Sequence, residues 1–203
     1  MVDAAPDEVT ERYRPTNGLA IGILTLVAAV GTLVLGIVDD FPAPVVAGAF
    51  LVGVLAWAAL LKPRVKVADR RLVLVNMLET VSIPLAAVEE VVVRQVLAVR
   101  VGEKRYVSPA IGHTLRATLA STRPPKRDPR RGDVLATPQA PSYPDVVENR
   151  IDQLVTEDRK RLGVGRGSPE VAALGAEVRR TPAWVEIGLL AVGVVALVAT
   201  IVV

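Results

Sequence analysis

Three long apolar runs divide the chain. Gly18–Val38 is 21 residues without a charge, Phe41–Leu61 is another 21, and Pro182–Val203 is 22 with Glu186 as its one ionisable side chain. A helix rises about 1.5 Å per residue, so about 20 apolar residues match a hydrocarbon core of about 30 Å. Water cannot bond the backbone inside lipid, so segments of this kind fold as helices. The pattern predicts three transmembrane helices: a hairpin over 18–61, with spans at 18–38 and 41–61, and a third span at 182–203. Small residues four apart mark close-packing faces on them: Gly18 and Gly22 continued by Thr25 and Ala29, Ala49 with Gly53, and Ala196 with Thr200.

Between the second and third runs the periodicity changes. Val65 and Val67, Leu72–Val75, Thr80–Ile83, Val91–Val93 and Val96–Val101 are short β-prone runs. Turn-like breaks separate them at Ala68-Asp69-Arg70, Asn76-Met77, Pro84-Leu85 and Gly102-Glu103-Lys104. Short strands at this spacing predict antiparallel pairing, and alternation such as Val99-Arg100-Val101 suits a sheet with one solvated face. A module this small stands at the edge of what one core supports. It calls for a helix, the bilayer surface or a second copy to cover it.

The residues from Asp69 through Val75-Asn76, Thr80–Ile83-Pro84-Leu85 and Val88-Glu89-Glu90-Val91 resemble bacterial pleckstrin-homology-like (PH-like) domains. They are similar in particular to small actinobacterial membrane proteins that carry such a domain beside transmembrane helices. A strand ending in Asn, a strand ending Ile-Pro-aliphatic, an acidic V-E-x-V, and Gly102, Arg105, Pro109 and Ala110 in a G-x-x-R-x-x-x-P-A pattern carry the likeness. It covers residues 64–116. The resemblance implies a partly open barrel or sandwich of about seven strands, closed at one end by a C-terminal helix. No such helix follows His113 at once. The loop in which eukaryotic relatives often hold phosphoinositides would offer only Arg70 and Arg71, which read as solvated turn residues, so headgroup specificity is not carried over.

Residues 121–142 carry five prolines and few aliphatic side chains, the composition of a linker. Arg123, Lys126, Arg127, Arg130 and Arg131 make it basic, and beside an anionic leaflet they are candidate lipid contacts; a solvated tether is the competing reading. Over 143–180 the apolar period becomes helical. Asp145–Leu162 places Val146, Val147, Ile151, Leu154, Val155 and Leu162 at three- and four-residue steps, with Pro144 before it and Gly163 after. Its stripe, centred on Val147, Ile151, Leu154 and Val155, is a candidate face for capping the β-module, for the membrane surface or for a partner helix; capping is the reading adopted. A second helix is expected over Pro169–Arg179, capped by Ser168.

Charge fixes an expected orientation. Arg12 and Arg14 precede the first run, Lys62, Arg64 and Lys66 follow the second, and Arg179 and Arg180 precede the third, whereas the first turn holds Asp39 and Asp40. Basic flanks stay inside, so residues 1–17, a tail, and the polar region are expected in the cytoplasm and the C-terminus outside, in the plasma membrane. The first run begins too far from Met1 and is too long for a cleaved signal peptide, so all 203 residues are expected in the mature chain. Glu186 lies one turn inside the expected edge, where its side chain reaches the headgroups.

Candidate chemistry is sparse. There is no Cys, and His113 is the one His, so thiolate sites and the usual multi-His metal clusters are not available to the sequence. No nucleophile–base set or phosphate-cradling loop is present; Gly163–Gly167 stands in the wrong context for a nucleotide fingerprint. A net charge of +3 is met by the flanks, and no aromatics interleave the basic residues for nucleic acid. The expectation is a three-span α-helical membrane protein with a small cytoplasmic all-β PH-like module plus an amphipathic helix. It is expected to act as an interaction scaffold, with no catalysis, cofactor, metal or small-molecule substrate, and with membrane lipid and a protein partner or second copy as contacts. The alternative is an accessory subunit of a transport or envelope-biogenesis complex.

Overall fold

The computed structural model describes residues 9–13, 18–112 and 142–202. Three helices are long and apolar enough to cross a membrane: α1 (Leu19–Val38), α2 (Ala43–Ala56, continued by a π-helical turn at Trp57–Leu61) and α5 (Trp184–Val202). α2 lies in the middle, packed by α1 on one side and α5 on the other. The α1 seam is Gly22, Ala29 and Gly36, the buried positions of that helix. A Cβ at Gly22 would stand 2.8 Å from Leu60 Cβ, and one at Gly36 would stand 2.7 Å from Val46 Cγ2, so the backbones approach where side chains are missing. The seam thus runs in steps of seven past the half-buried Thr25. Gly193 on α5 meets Leu51 in the same way. Apart from these seams the helices present exposed Ile, Leu and Val.

The polar part of the chain forms a small antiparallel sheet domain. Its central strands are β2 (Arg64–Ala68), β3 (Arg71–Val75), β4 (Glu79–Pro84), β5 (Glu90–Val93), β6 (Leu97–Val101) and β7 (Lys104–Ser108). Two further strands come from outside the expected module. β1 (Val9–Tyr13) lies in what sequence reading assigns to a tail, and β8 (Arg179–Pro182) lies where a helix over Pro169–Arg179 is expected to finish. The sheets are β1-β2-β3-β4-β8 and β5-β6-β7. That second helix, α4, ends at Ala176, because the chain after it pairs with β4, Ser82 opposite Arg179.

Alternation decides which side chains are inside. Val65, Val67, Leu72, Leu74, Val81 and Ile83 from the first sheet face Val91, Val93, Leu97, Val99 and Val101 from the second. Between β2 and β3 the two-residue turn Asp69-Arg70 has φ of 47° and 57°, left-handed at both positions without a glycine. At the end of β3, Asn76 Nδ2 donates to the Val107 carbonyl at 3.0 Å and ties one sheet to the other.

One side of the core is closed by α3 (Tyr143–Leu162). The N–H and Oγ–H of Ser142 donate to the Asp145 carboxylate at 2.9 and 2.6 Å, a capping arrangement that starts the helix two residues before the expected Asp145. Gly163, at φ 69°, ends it. Val147, Ile151 and Val155 are 2%, 0% and 2% exposed and belong to the core of the domain, with Leu154 packed half-buried beside them.

Candidate functional site

The sheet and the apolar helices meet at one end of the domain. β1 leads into α1, β2 leaves the π-helical turn that ends α2, and β8 leads into α5. All three strands belong to one sheet, so that sheet gathers three helix ends that lie far apart in sequence. Lys62 Nζ and Glu186 Oε1 form an ion pair at 2.5 Å with side chains 13% and 10% exposed. Glu186, the one ionisable side chain of the third apolar run, thus has its carboxylate on the lysine that closes α2. Ala183 N–H donates to the Leu78 carbonyl at 2.8 Å and fastens the start of α5 to the β3–β4 turn.

α3 is fixed to the sheets by polar contacts as well as by its stripe. Arg159, 7% exposed, donates from Nε to the Ala86 carbonyl at 2.9 Å and from Nη2 to the Val88 carbonyl at 2.5 Å. It thereby holds the 3₁₀ turn Leu85–Ala87 that joins the two sheets. Burial pulls its guanidinium below the usual range, and the neighbouring Arg166 acts the same way. Near the other end of α3, Arg150 donates from Nε and Nη2 to Glu11 Oε1 at 2.8 and 2.6 Å, and the Tyr13 hydroxyl donates to Glu11 Oε2 at 2.6 Å. The Arg150 hydrogen bonds hold the Glu11 carboxyl below its ordinary value against a smaller opposing effect of burial. Glu148 accepts the Val93 N–H at 2.7 Å and fastens the second sheet.

A cleft of about 640 Å³ opens between the β2–β3 turn and the last turns of α3. Val67, Leu85 and Leu154 line its apolar side, and Arg70, Asp158 and Arg161 its polar side. Asp158 lies 3.8 Å from Arg70 and 3.6 Å from Arg161 and is itself 10% exposed. Burial raises its pKa, with Arg70 opposing. The two arginines expected as solvated turn residues have separate roles. Arg70 reaches across to Asp158, whereas Arg71 is the first residue of β3. From there Arg71 donates to Ser82 Oγ at 2.7 Å and to the Glu177 carbonyl at 2.8 Å.

Of the expected site residues, Val147, Ile151, Leu154 and Val155 are therefore assembled on the domain side of α3. Arg123, Lys126, Arg127, Arg130 and Arg131, and His113, lie outside the described residues. Sequence reading misses Glu11, Asp158, Arg159 and the Lys62–Glu186 pair; only the odd charge in an apolar run flags the last. Among the described residues no group of three or more His, Cys, Asp or Glu side chains is arranged to hold a metal ion. No protein-family model, curated protein or solved structure matches the chain.

Proposed function

We propose that the chain is an integral plasma-membrane protein whose cytoplasmic PH-like module is an interaction scaffold without chemistry of its own. The observation that carries this reading is the shared sheet. Strands that precede, separate and follow the apolar helices pair side by side, so the domain is built onto the helix ends and held at a fixed position beneath the bilayer. The succession of β1–β4 in one sheet, β5–β7 in a second and α3 closing the core supports the PH-like assignment. In that comparison the α1–α2 hairpin is an insertion between the first two strands, α3 is the closing helix displaced along the chain, and β8 is an addition. Orientation is supported by charge: Arg12, Lys62, Arg64, Lys66, Arg179 and Arg180 stand at the sheet end, and Asp39 and Asp40 at the other.

A second reading has its own support. The three helices form a layer around α2, with most of α1 and α5 left apolar and exposed. Such a layer suits an accessory subunit that packs against a larger bundle of a transport or envelope-biogenesis complex.

Two measurements test the pair of readings. The chain has no native Cys, so membrane-impermeant thiol labelling can be read at Glu103→Cys and at Val202→Cys. Labelling from outside is expected at Val202→Cys and not at Glu103→Cys, and the reverse result refutes the orientation. Purification of the full chain in mild detergent then separates the functions. A monomer or dimer that recruits a partner from the cytosol supports the scaffold, and a stoichiometric integral-membrane complex supports the accessory subunit.

A further inference from the structure

We propose that the cleft between the β2–β3 turn and the end of α3 binds an amphoteric small molecule, of which an α-amino acid with an aliphatic side chain is the simplest form. Its volume of about 640 Å³ falls within the roughly 300–1,000 Å³ of small-ligand sites. It lies at the end of the sheet remote from the apolar helices. Tyr13, Arg64 and Pro182 stand at the helix-joining ends of β1, β2 and β8, whereas the Asp69-Arg70 turn closes the opposite end of β2. A dissolved ligand therefore reaches the cleft without passing the helices.

Both signs of charge and an apolar floor line the cleft. Asp158 has Arg70 at 3.8 Å and Arg161 at 3.6 Å, and Asp69 and Glu157 belong to the same lining. Those separations exceed the about 2.7–3.2 Å of a hydrogen bond, and both arginines are more than half exposed, so opposite charges stand side by side without being closely bonded. Val67, Leu85 and Leu154 supply the floor. A carboxylate entering alone meets three carboxylates, and an amine entering alone meets two guanidiniums. An α-amino acid carries both charges on one carbon, about 3 Å apart, close to the 3.6–3.8 Å between the opposite charges of the wall. Its ammonium answers Asp158, its carboxylate answers Arg70 or Arg161, and its side chain takes the floor.

The turn gives up local stability to present these charges. Asp69 and Arg70 have φ of 47° and 57°, a left-handed pair for which Asn-Gly is the favoured choice. A side chain as large as arginine is strained there. The Leu85 N–H donates to the Arg70 carbonyl at 2.9 Å and holds the turn beside the cleft. Glycine would suit the turn better; what arginine adds is a guanidinium in the lining.

The test uses the full chain in phosphatidylcholine nanodiscs, titrated by isothermal calorimetry with L-leucine. Saturable binding with a Kd between about 10 μM and 1 mM is expected. Isoamylamine and 4-methylpentanoate, which keep the aliphatic body and one charge each, should bind at least about tenfold more weakly. Arg70→Gly removes the guanidinium and suits the left-handed turn, so it should leave the melting temperature intact while weakening leucine by about tenfold or more. Arg161→Gln, a change at an exposed side chain, should weaken it likewise. Asp152→Asn, a charge change at an exposed position of α3 outside the lining, should leave binding unchanged. Three results overturn the proposal: no saturable heat with leucine up to about 10 mM, equal binding of either single-charge analogue, or wild-type affinity in both Arg70→Gly and Arg161→Gln.

Discussion

Replacing Ile151 by Asp should unfold the sheet domain, and the structure allows the size to be worked out. Ile151 is fully buried between Val147 and Val155 on the core face of α3. Truncating a buried Ile costs about 2–5 kcal/mol through lost transfer energy and the cavity left behind. Placing a carboxyl in that apolar site without a partner adds about 1–3 kcal/mol even when it stays protonated. The sum reaches the about 5–15 kcal/mol that holds a typical domain together, and a module of this size belongs at the lower end. Val146→Asp is the control, because Val146 is on the same helix but 49% exposed, where a substitution shifts stability by about 0.5 kcal/mol or less. The sample has to be the full chain in detergent or nanodiscs, since a fragment from Arg64 to Arg179 would remove β1 and most of β8. Hydrogen exchange read on peptides from β2 to β7 should show protection lost in Ile151→Asp and kept in Val146→Asp. Wild-type protection in Ile151→Asp would refute the capping role of α3 and return its stripe to a partner or to the membrane surface.

Three further expectations follow from named contacts. Gly22→Ala should lower the thermal stability of the purified protein, because its Cβ would meet Leu60 Cβ at 2.8 Å, whereas Gly31→Ala, with nothing within 4 Å, should leave it unchanged or raise it; size-exclusion after heating reads both. Glu11 has a depressed folded pKa, so its contribution is complete above the unfolded carboxylate value of about 4.3 and is lost as pH falls through the lower folded value. The effect is of surface-pair size, about 1 kcal/mol at most, and Glu11→Gln should flatten the acid loss of exchange protection in β1. Lys62→Glu or Glu186→Lys alone should destabilise the join between α2 and α5 by leaving one charge unpaired, and the double swap should recover most of the loss.

How much of this was legible in the chain depends on whether each element's signal is local. The three apolar helices are, because length and the absence of charge suffice, and so are β2 to β6, whose inward Val and Leu alternate with outward residues. α3 was legible from its period, and the remaining two residues of its start come from Ser142 and Pro144. β1 and β8 were not. Val-Thr-Glu-Arg-Tyr and Arg-Arg-Thr-Pro carry no apolar alternation, and all four residues of β8 are exposed; what makes them strands is an available sheet edge. Arg159 was hidden by its charge. It continues the four-residue steps of Val147, Ile151 and Val155, but its residue type groups it with the polar side chains, and the carbonyls of Ala86 and Val88 are what satisfy its guanidinium where it is buried. Glu186 was visible as an anomaly, but its partner Lys62 could not be seen until the helices were laid side by side.

These non-local elements are the ones that join the two halves of the molecule. The central strands and α3 would give a core by themselves, and the three apolar helices pack through Gly22, Ala29, Gly36 and Gly193 without reference to it. Besides the direct run of α2 into β2, the connection is made by β1, β8 and the Lys62–Glu186 pair. Each depends on a surface that one half presents to the other: a sheet edge at β2, a sheet edge at β4, and a lysine at the close of a π-helical turn. Short antiparallel edge strands are among the weaker parts of a fold, because they gain pairing on one side only. Their placement makes the junction the least costly part of the structure to open, while the core on one side and the helix layer on the other stay intact. A ligand of either edge strand would therefore act first on β1 or β8, and because β1 leads into α1 and β8 into α5 it would change how the domain hangs from the helices without unfolding either.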